Sequence, residues 1–431
     1  MIHRRKLVTE LIVDPKQIPD PYAIPLDEMD VSQPILLQQD CWQPWFDRLR
    51  AEDPIHYCKE SLFGPYWSIT KFNDIMEVEK DTELFSSHRN ITVFDVDDEE
   101  YSRRETPMFI AMDPPTHDEQ RKVVQPVVAP TNLAKLEPLI RGRVASILDS
   151  LPIGETFNWV DKVSIELTTQ MLATLFDFPF EDRRLLTYWS DVATSNPKLG
   201  IGIPGLTEDG QDEALDECLA YFKRLWKERE GNPAGESLDL ISMLAQGEAT
   251  QNMDDDEFLG NLILLIVGGN DTTRNSISGG VLALNEKPDE YQKLRDNHDL
   301  IPGMVSEMIR WQTPLSHMRR TATRDTVLGG KQIKKGEKLI MWYISGNRDS
   351  EVIDQADKFI IDRATPRHHL SFGFGIHRCM GNRLAEMQLR ILWEEIMARF
   401  DKVDVVGEPV RVMSNFIKGY SELPVKLIAV A

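Results

Sequence analysis

The segment that most constrains this chain is a glycine-rich loop that carries one cysteine and leads into an amphipathic helix. Residues 372–381 read Phe-Gly-Phe-Gly-Ile-His-Arg-Cys-Met-Gly, and apolar side chains recur at helical spacing from Leu384 onward. The free N–H groups and the dipole of this helix are expected to shift the thiol of Cys379 toward thiolate. The glycines would let the backbone approach a large flat ligand closely. A thiolate in such a loop is suited to ligating the iron of a macrocycle.

Each of these features has a simpler interpretation when it is taken alone. An isolated cysteine is more often a small buried core residue, and clustered glycines often mark only a turn. Cys379 could also be a nucleophile, with His377 as its base. The complete pattern over residues 372–381 favours ligation over a core residue or a turn. A nucleophilic cysteine would need no bound macrocycle.

The charge balance limits the kinds of partner. The 431 residues include 49 Lys and Arg against 70 Asp and Glu, a net charge of −21, so nucleic acids and anionic membranes would be repelled. The 4 cysteines lie far apart, which is typical neither of a disulfide scaffold nor of a structural zinc site. No apolar segment follows the basic N-terminus or reaches membrane-spanning length. We therefore expect a cytoplasmic protein without a transmembrane anchor.

Helical periodicity dominates the chain. Residues 1–40 are rich in Pro and Asp and predict an irregular N-terminal arm, whereas residues 41–431 predict a single large domain. A pair of strands is expected on either side of Gly64-Pro65, over residues 55–59 and 66–70. Helices are predicted over residues 254–285, 301–312 and 383–400, with mostly helical structure over residues 132–229.

The first of these helices contains an unusual polar segment. Its apolar run ends at Val267 and is followed by Gly-Gly-Asn-Asp-Thr-Thr over residues 268–273. Each glycine within a helix costs about 1 kcal/mol, and a buried Asp or Thr needs a polar partner. A Thr hydroxyl bonded to the carbonyl four residues earlier would open a notch that holds a small ligand and delivers protons to it. Alternatively, and with equal support, the two glycines could allow another helix to cross this one closely.

Residues 372–381 resemble the signature of the cytochrome P450 superfamily, Phe-Gly-x-Gly-x-His-x-Cys-x-Gly, at every specified position. The resemblance extends over most of the chain and implies the mainly α cytochrome P450 fold with small β-sheets, in a single large domain that encloses haem b. It implies that Cys379 is the metal ligand, that His377 bonds a haem propionate and that Phe372 contacts the haem. The activity implied is that of a monooxygenase, which inserts one atom of O2 into an unactivated C–H bond.

The polar segment of the long helix resembles the oxygen-binding kink of the same family. This likeness implies that Asp271 and Thr272 are the catalytic residues of a proton relay. It also implies that Gly268 and Gly269 lie over the haem. Asn270 occupies a position that varies within the family, and we assign it no role.

Further haem contacts follow from two other segments. Residues 113–121, Asp-Pro-Pro-Thr-His-Asp-Glu-Gln-Arg, are similar to the family segment whose His and Arg hold a propionate. The likeness implies this role for His117 and Arg121. Arg320 resembles the third propionate anchor, and its neighbour Arg319 is a rival for the role. Haem carries two carboxylates, and a cluster of His117, Arg121, Arg320 and His377 would bind them electrostatically.

Glu307 and Arg310 stand three residues apart on one predicted helix. Taken alone they would form a solvated ion pair of small worth. Their spacing resembles the Glu-x-x-Arg helix of the family, with Arg363 as the third member of a buried charge network. The implied role is structural, since the network would hold the cysteine loop in place.

The substrate pocket is expected to be apolar. Its predicted lining residues are Leu264, Val267, Leu315 and Met318, with Phe109, Ile110 and the segment 196–205 as weaker candidates. That segment holds three Gly and two Pro and predicts either a mobile lid or an ordinary surface loop.

The signature segments are most similar to those of bacterial soluble hydroxylases that oxidise the terminal carbon of medium-chain alkanes and fatty acids. The alternatives are a P450 hydroxylase of another apolar substrate (terpenoid, polyketide or steroid-like) and a haem-thiolate binding protein without turnover. Asp271 and Thr272 argue against the second alternative.

The electron supply is expected to be external, because no flavin domain follows the last predicted helix. The resemblance implies a ferredoxin and an NAD(P)H-dependent ferredoxin reductase as partners. Four Arg, three His and one Glu lie within residues 366–390, so the charge reverses sign around the cysteine loop. An acidic ferredoxin would be attracted to a basic patch, which we predict at Arg121, Lys122, Arg378, Arg383 and Arg390.

Overall fold

Helices form most of the structure, a computed structural model that describes residues 10–88, 90–94, 104–230 and 239–429. In the described residues the α-helices are α1 (Ile35–Gln38), α2 (Gln43–Glu52), α3 (Phe72–Lys80), α4 (Thr116–Val124), α5 (Pro130–Asp149), α6 (Glu166–Phe176), α7 (Arg184–Thr194), α8 (Glu208–Glu230), α9 (Leu240–Gln246), α10 (Asp255–Glu286), α11 (Pro288–Asp296), α12 (Ile301–Gln312), α13 (Tyr343–Gly346) and α14 (Asn382–Arg399). The predicted helices 254–285, 301–312 and 383–400 are confirmed as α10, α12 and α14. Within the same ranges, no helix is both long and apolar enough to cross a membrane.

The long helix α10 passes through the centre of the molecule. Asp254 caps its first turn by accepting a hydrogen bond from the backbone N–H of Glu257, and acidic residues follow where the helix dipole favours them. Leu262 in its first half and Ile277 in its second half are fully buried in two different hydrophobic clusters. The polar segment 268–273 therefore lies between the two main clusters of the core.

Short strands form four small sheets in the described part of the chain. They are β1 (Ile55–Cys58), β2 (Tyr66–Ile69), β3 (Phe85–Ser86), β4 (Thr156–Asn158), β5 (Met318–Ala322), β6 (Thr326–Leu328), β7 (Lys331–Ile333), β8 (Lys338–Met341), β9 (Phe400–Val405), β10 (Val410–Arg411), β11 (Tyr420–Glu422) and β12 (Pro424–Ala429). The largest sheet has the order β1-β2-β8-β5-β3 and is parallel only between β2 and β8; the others are β4-β12-β9, β6-β7 and β10-β11. The strand pair predicted around Gly64-Pro65 is confirmed as β1 and β2, with Ile55 opposite Ile69.

The N-terminal segment packs on the sheet region. Residues 10–40 contain two 3-10 turns and α1, and the first nine residues of the predicted arm lie outside the described ranges. Met29 and Leu36 are almost fully buried in a cluster that they share with Trp42 and Phe46. The division into an arm and a catalytic domain stays a sequence-based prediction, but part of the arm belongs to the core.

Candidate active site

The cysteine loop is held in place by contacts with the chain before α14. The backbone N–H of Cys379 donates to the carbonyl of Phe372 at 2.8 Å, which closes the loop. Gly375 has φ of +68°, and a Cβ there would lie 2.6 Å from the carbonyl oxygen of Glu79. This glycine is therefore required by close packing on α3. The sequence predicts that the glycines admit a flat ligand, but at Gly375 the close neighbour is protein backbone.

The thiol of Cys379 faces a cavity but does not have the lowered pKa that its position suggested. Its side chain is exposed on the cavity wall, while surrounding protein atoms raise the pKa of the thiol by burial. Backbone hydrogen bonds from Gly381 and Asn382, together with Arg121 and Arg378, act in the opposite direction. The helix N-terminus and the nearby arginines therefore favour the thiolate as predicted, but burial has the larger effect on the pKa in the protein without haem. A bound cation would supply the missing stabilisation of the thiolate.

His377 is not placed as a base for this thiol. Its ring is buried, and its Nε2 lies 3.0 Å from the hydroxyl of Ser87. Burial, together with the nearby Arg320, His117 and Arg121, lowers its pKa to about 2. Among the described residues, Nδ1 of His377 has no hydrogen-bond partner.

The four predicted propionate anchors come together from three segments of the chain: α4, β5 and the cysteine loop. The rings of His117 on α4 and His377 have centroids 4.1 Å apart. Arg320 on β5 donates to Glu79 at 2.9 Å, and Arg121 donates to the carbonyl of Arg378 at 2.5 Å. Arg121, Arg320 and His377 all line the cavity that Cys379 faces. Arg319 instead turns to the carbonyl of Phe94 at 2.6 Å and does not line it, so the structure favours Arg320 over its rival.

This cluster offers unused hydrogen-bonding atoms to an anionic ligand. Nε2 of His117, Nε of Arg320 and Nδ1 of His377 are buried and have no partner in the part of the chain that the structure describes. Buried polar atoms without a partner are rare, and each needs an explanation. Two carboxylates bound beside Arg320 and His377 would be within the same cluster, and all three atoms can donate. His117 does not itself line the cavity but packs against His377, which does. The residues present therefore fit a haem whose iron faces Cys379 and whose propionates face this cluster.

The predicted notch in α10 is present as a local feature of a continuous helix. The hydroxyl of Thr272 donates to the carbonyl of Gly268 at 2.8 Å, four residues earlier. A Cβ on Gly268 would meet nothing within 4 Å, whereas one on Gly269 would lie 2.7 Å from Cδ2 of Leu172. Gly268 thus leaves open space on the cavity side, and Gly269 permits close packing of α6. Both interpretations of the glycine pair hold, one for each glycine.

Asp271 points away from the cavity. Its carboxylate is fully buried and accepts a hydrogen bond from the hydroxyl of Ser190 at 2.8 Å. It also lies 2.5 Å from a guanidinium nitrogen of Arg274, which in turn pairs with Asp191. Burial, opposed by Arg274 and reinforced by Asp191, raises the pKa of Asp271 to about 6. Asp191 is 34% exposed, so these residues connect a buried acid with the surface.

The sequence did not identify Ser190, Asp191 or Arg274 as site residues. Ser190 and Asp191 belong to α7, about eighty residues before Asp271, and carry no motif of their own. Arg274 stands three residues after Asp271 on the same helix, so its i,i+3 spacing from the acid was the available signal.

The cavity has a volume of about 430 Å³ and is mainly apolar. All four predicted lining residues border it: Leu264, Val267, Leu315 and Met318. The weaker candidates Phe109 and Ile110 also line it, as do residues that the sequence did not single out, among them Met171, Leu172, Ile309 and Phe416. The segment 196–205 contributes Ile201, which is 3% exposed and bonded through its backbone to Asn196. The segment therefore contributes a buried residue to the cavity wall. Its role as a mobile lid stays a prediction.

The charge network is buried and reaches the cysteine loop. Arg310 donates to both carboxylate oxygens of Glu307 at 2.7 Å, and Arg363 donates to the same carboxylate at 3.1 Å. Arg310 also donates to the carbonyl of Asn347 at 2.7 Å. The side chain of Asn347 accepts from the backbone of Leu370 and donates to Ser371 at 2.9 Å, which ties the network to the residues just before the loop.

The basic surface is smaller than the sequence suggested. Lys122, Arg378 and Arg383 are exposed. Arg121 is partly buried and turned to the cavity. Arg390 forms ion pairs with Glu137 and Glu394 at 2.8 and 2.7 Å, so its charge is largely compensated. We refer to Lys122, Arg378 and Arg383 below as the basic surface.

Comparisons with known proteins agree with this arrangement. The family model for Cytochrome P450 matches residues 68–417. The chain is 35% identical to linalool 8-monooxygenase of Pseudomonas putida, covering 94% of this chain and 100% of that protein. It is 33% identical to a methyl-branched lipid omega-hydroxylase of Mycobacterium bovis, covering 90% and 92%. The structure of a cytochrome P450-153 from Novosphingobium aromaticivorans superimposes with a TM-score of 0.85 at 50% identity, covering 92% and 99%. The chain therefore belongs to the cytochrome P450 family and is a haem b monooxygenase.

Proposed function

We propose that this monooxygenase hydroxylates the terminal carbon of medium-chain alkanes or fatty acids. The observation that carries the proposal is the cavity, in which Cys379 and the open side of Gly268 face aliphatic side chains such as Leu264 and Val267. A slender apolar chain can reach a centre bordered by a glycine more closely than a branched or bulky molecule can. The likeness to a protein named as a methyl-branched lipid omega-hydroxylase supports the same position of attack.

Different residues of the chain would bind the haem and the substrate. The haem, when bound, supplies an iron centre that activates O2 toward an unactivated C–H bond. Cys379 would hold the iron, and His117, Arg121, Arg320 and His377 would hold the propionates. The aliphatic lining excludes water and orients the substrate chain. A primary C–H bond is the strongest in the chain, so the lining must keep the weaker internal positions away geometrically.

Proton delivery is assigned to Thr272 and Asp271. The hydroxyl of Thr272 uses its hydrogen in the bond to Gly268, so its lone pairs remain available on the cavity side. Asp271 has a pKa of about 6, so it can hold and release a proton near neutral pH. To serve the cavity, its carboxyl must turn away from Ser190 and Arg274. Asp191 can retain Arg274 during this movement because the two already form an ion pair.

Replacement of Thr272 by alanine is expected to uncouple the reaction. The variant should consume reductant and O2 while releasing hydrogen peroxide in place of alcohol, with the alcohol formed per NAD(P)H falling roughly tenfold or more. The measurement compares NAD(P)H, peroxide and alcohol in one reaction. The Thr272→Ser variant keeps the hydroxyl and should stay coupled. Equal coupling in Thr272→Ala and the parent would reject the relay.

The position of attack is tested by a product profile. With a surrogate ferredoxin and a series of n-alkanes and fatty acids, the parent should yield mainly primary alcohols, identified by gas chromatography and mass spectrometry. Val267→Ala widens the cavity beside Gly268 and should raise the subterminal share several-fold, because one or two methylene groups control about 1–3 kcal/mol of discrimination. Val327→Ala, on an exposed strand, is the control. Mainly subterminal alcohols from the parent would reject terminal attack.

A terpenoid substrate is the second candidate, since the chain is 35% identical to a protein named linalool 8-monooxygenase. The two candidates differ in the shape of the preferred substrate. Competition between linalool and an n-alkane of similar mass, read as the ratio of kcat/KM values, separates them. A higher kcat/KM for linalool than for the n-alkane would favour the terpenoid substrate.

Electrons are proposed to come from an acidic ferredoxin and its NAD(P)H-dependent reductase. The ferredoxin would dock on the basic surface, which lies beside the loop of Cys379. The double variant Lys122→Glu, Arg383→Glu is expected to raise the KM for ferredoxin by about tenfold at low salt, with kcat changed little. Rising ionic strength should shrink this difference, since it screens exposed charges. Lys334→Glu, another exposed lysine, is the control, and equal KM values in all three proteins would exclude this surface.

A further inference from the structure

We propose that His117 takes up a proton when the haem binds and remains an imidazolium in the loaded enzyme, between Asp118 and a haem propionate. The inference rests on the placement of the propionates in the cluster described above. His117 is 1% exposed, and its Nδ1 lies 2.7 Å from Oδ1 of Asp118. Its Nε2 is buried and has no hydrogen-bond partner within the described ranges. The ring packs against His377, whose side chain borders the cavity.

Neither neutral tautomer of His117 suits two carboxylates. A neutral imidazole carries one ring hydrogen, so one nitrogen donates and the other can only accept. With the hydrogen on Nδ1, the ring bonds Asp118 and presents a lone pair to the propionate. With the hydrogen on Nε2, it bonds the propionate, and the lone pair of Nδ1 faces Asp118 at 2.7 Å. Only the imidazolium donates from both nitrogens and satisfies both carboxylates.

The net charge around His117 becomes negative when the propionates arrive. The charged and titratable groups near the ring are Asp118, Arg121, Arg320, His377 and Glu79, the last through its ion pair with Arg320. In the protein alone, burial lowers the pKa of His117, Asp118 raises it, and the two arginines lower it further. The ring is then neutral near neutral pH. Two propionates add two negative charges and favour the imidazolium.

A pH dependence follows from this proton uptake. Between the pKa of His117 without haem and its higher pKa with haem, binding takes up one proton. The contribution of His117 to haem affinity therefore falls about tenfold for each unit by which the pH rises. Ligation by Cys379 releases a proton and acts in the opposite direction, but this effect is common to the parent and to variants at residue 118. The ratio of the haem affinities of the parent and such a variant therefore reports the contribution of His117 alone.

The decisive variant is Asp118→Asn. An asparagine amide can donate to Nδ1 of a neutral His117, which frees Nε2–H to bond the propionate without an additional proton. The ratio of haem affinities, parent over variant, is expected to fall about tenfold per pH unit. It is measured from the partition of haem between each holoenzyme and apomyoglobin over a pH series. Glu119→Gln removes the same charge from the next residue of α4 and should give a ratio independent of pH. A flat ratio for Asp118→Asn would overturn the inference.

A spectroscopic measurement reports the proton directly. The reduced, carbon-monoxide-treated holoenzyme is diamagnetic, so 15N-labelled histidine can be observed in it by NMR. His117, assigned by its absence in His117→Gln, should have both ring nitrogens protonated near neutral pH in the parent and only one in Asp118→Asn. A neutral His117 in a parent with the red-shifted Soret band would overturn the proton uptake and leave the haem site intact. Absence of that band in the parent would overturn the haem site itself.

Discussion

Replacement of Cys379 by serine is expected to abolish monooxygenase activity and the strongly red-shifted Soret band of the reduced, carbon-monoxide-treated protein. A serine hydroxyl at this position keeps the size of the side chain but is not a thiolate donor, and electron donation by the thiolate underlies O2 activation in this family. Haem can still be retained through the propionate cluster, because His117, Arg121 and Arg320 are unaffected. The expected result is a protein that binds haem but has neither the band nor the activity.

The measurement for this variant is a reduced-minus-oxidised spectrum under carbon monoxide, together with a haem assay. Cys41→Ser is the matched control, since Cys41 is also a free cysteine but packs near the N-terminal segment, far along the chain from the loop. It should keep both the band and the activity. A red-shifted band in Cys379→Ser would assign the iron ligand to another residue.

The second large effect is expected for Glu307→Gln. The carboxylate of Glu307 is fully buried and balances the guanidinium groups of both Arg310 and Arg363. The amide leaves two buried cations without a counter-charge, and removing one partner of a buried ion pair typically costs about 3–5 kcal/mol of folding free energy. Because the network is tied through Asn347 to the residues before the cysteine loop, haem should also be lost at a lower temperature than in the parent.

Thermal unfolding followed at the Soret band and by circular dichroism tests this variant. The control is Glu52→Gln, which removes an exposed ion pair with Arg48 on α2. Exposed i,i+4 pairs contribute roughly 0.5 kcal/mol or less, so the control should unfold close to the parent. An unfolding midpoint for Glu307→Gln equal to that of the control would show that the network does not stabilise the fold.

The parts of the site that lie close together in the chain were predicted with few errors. Thr272 bonds to the carbonyl of Gly268 as its spacing on a helix requires, and Glu307 pairs with Arg310 for the same reason. The start of α10 follows from its cap at Asp254 and the end of α12 from the nearby Pro314, and both signals act within a few residues. Similarity to a known signature then supplied the role of Cys379, which local physics had left open between a ligand and a nucleophile.

The errors concern residues whose environment is set by distant partners. The pKa of Cys379 is raised because the tertiary fold surrounds the thiol, which the charge count of its loop could not reveal. Arg390 contributes little to the basic surface because Glu137, more than two hundred and fifty residues earlier, pairs with it. Asp271 turns toward Ser190 and Arg274 on the side away from the cavity, an orientation that its helical position left undetermined.

The sequence by itself determined the family, the long central helix and the identity of the cysteine that faces the cavity, because each is encoded in a short run of residues. Only the tertiary structure decided which charges remain free, which polar atoms lack partners and which way Asp271 and Arg319 point. The physical reason is that desolvation and ion pairing depend on atoms brought together from distant segments. The protonation state proposed for His117 belongs to this second class, since it depends on adjacent Asp118 and equally on a cluster assembled from three parts of the chain.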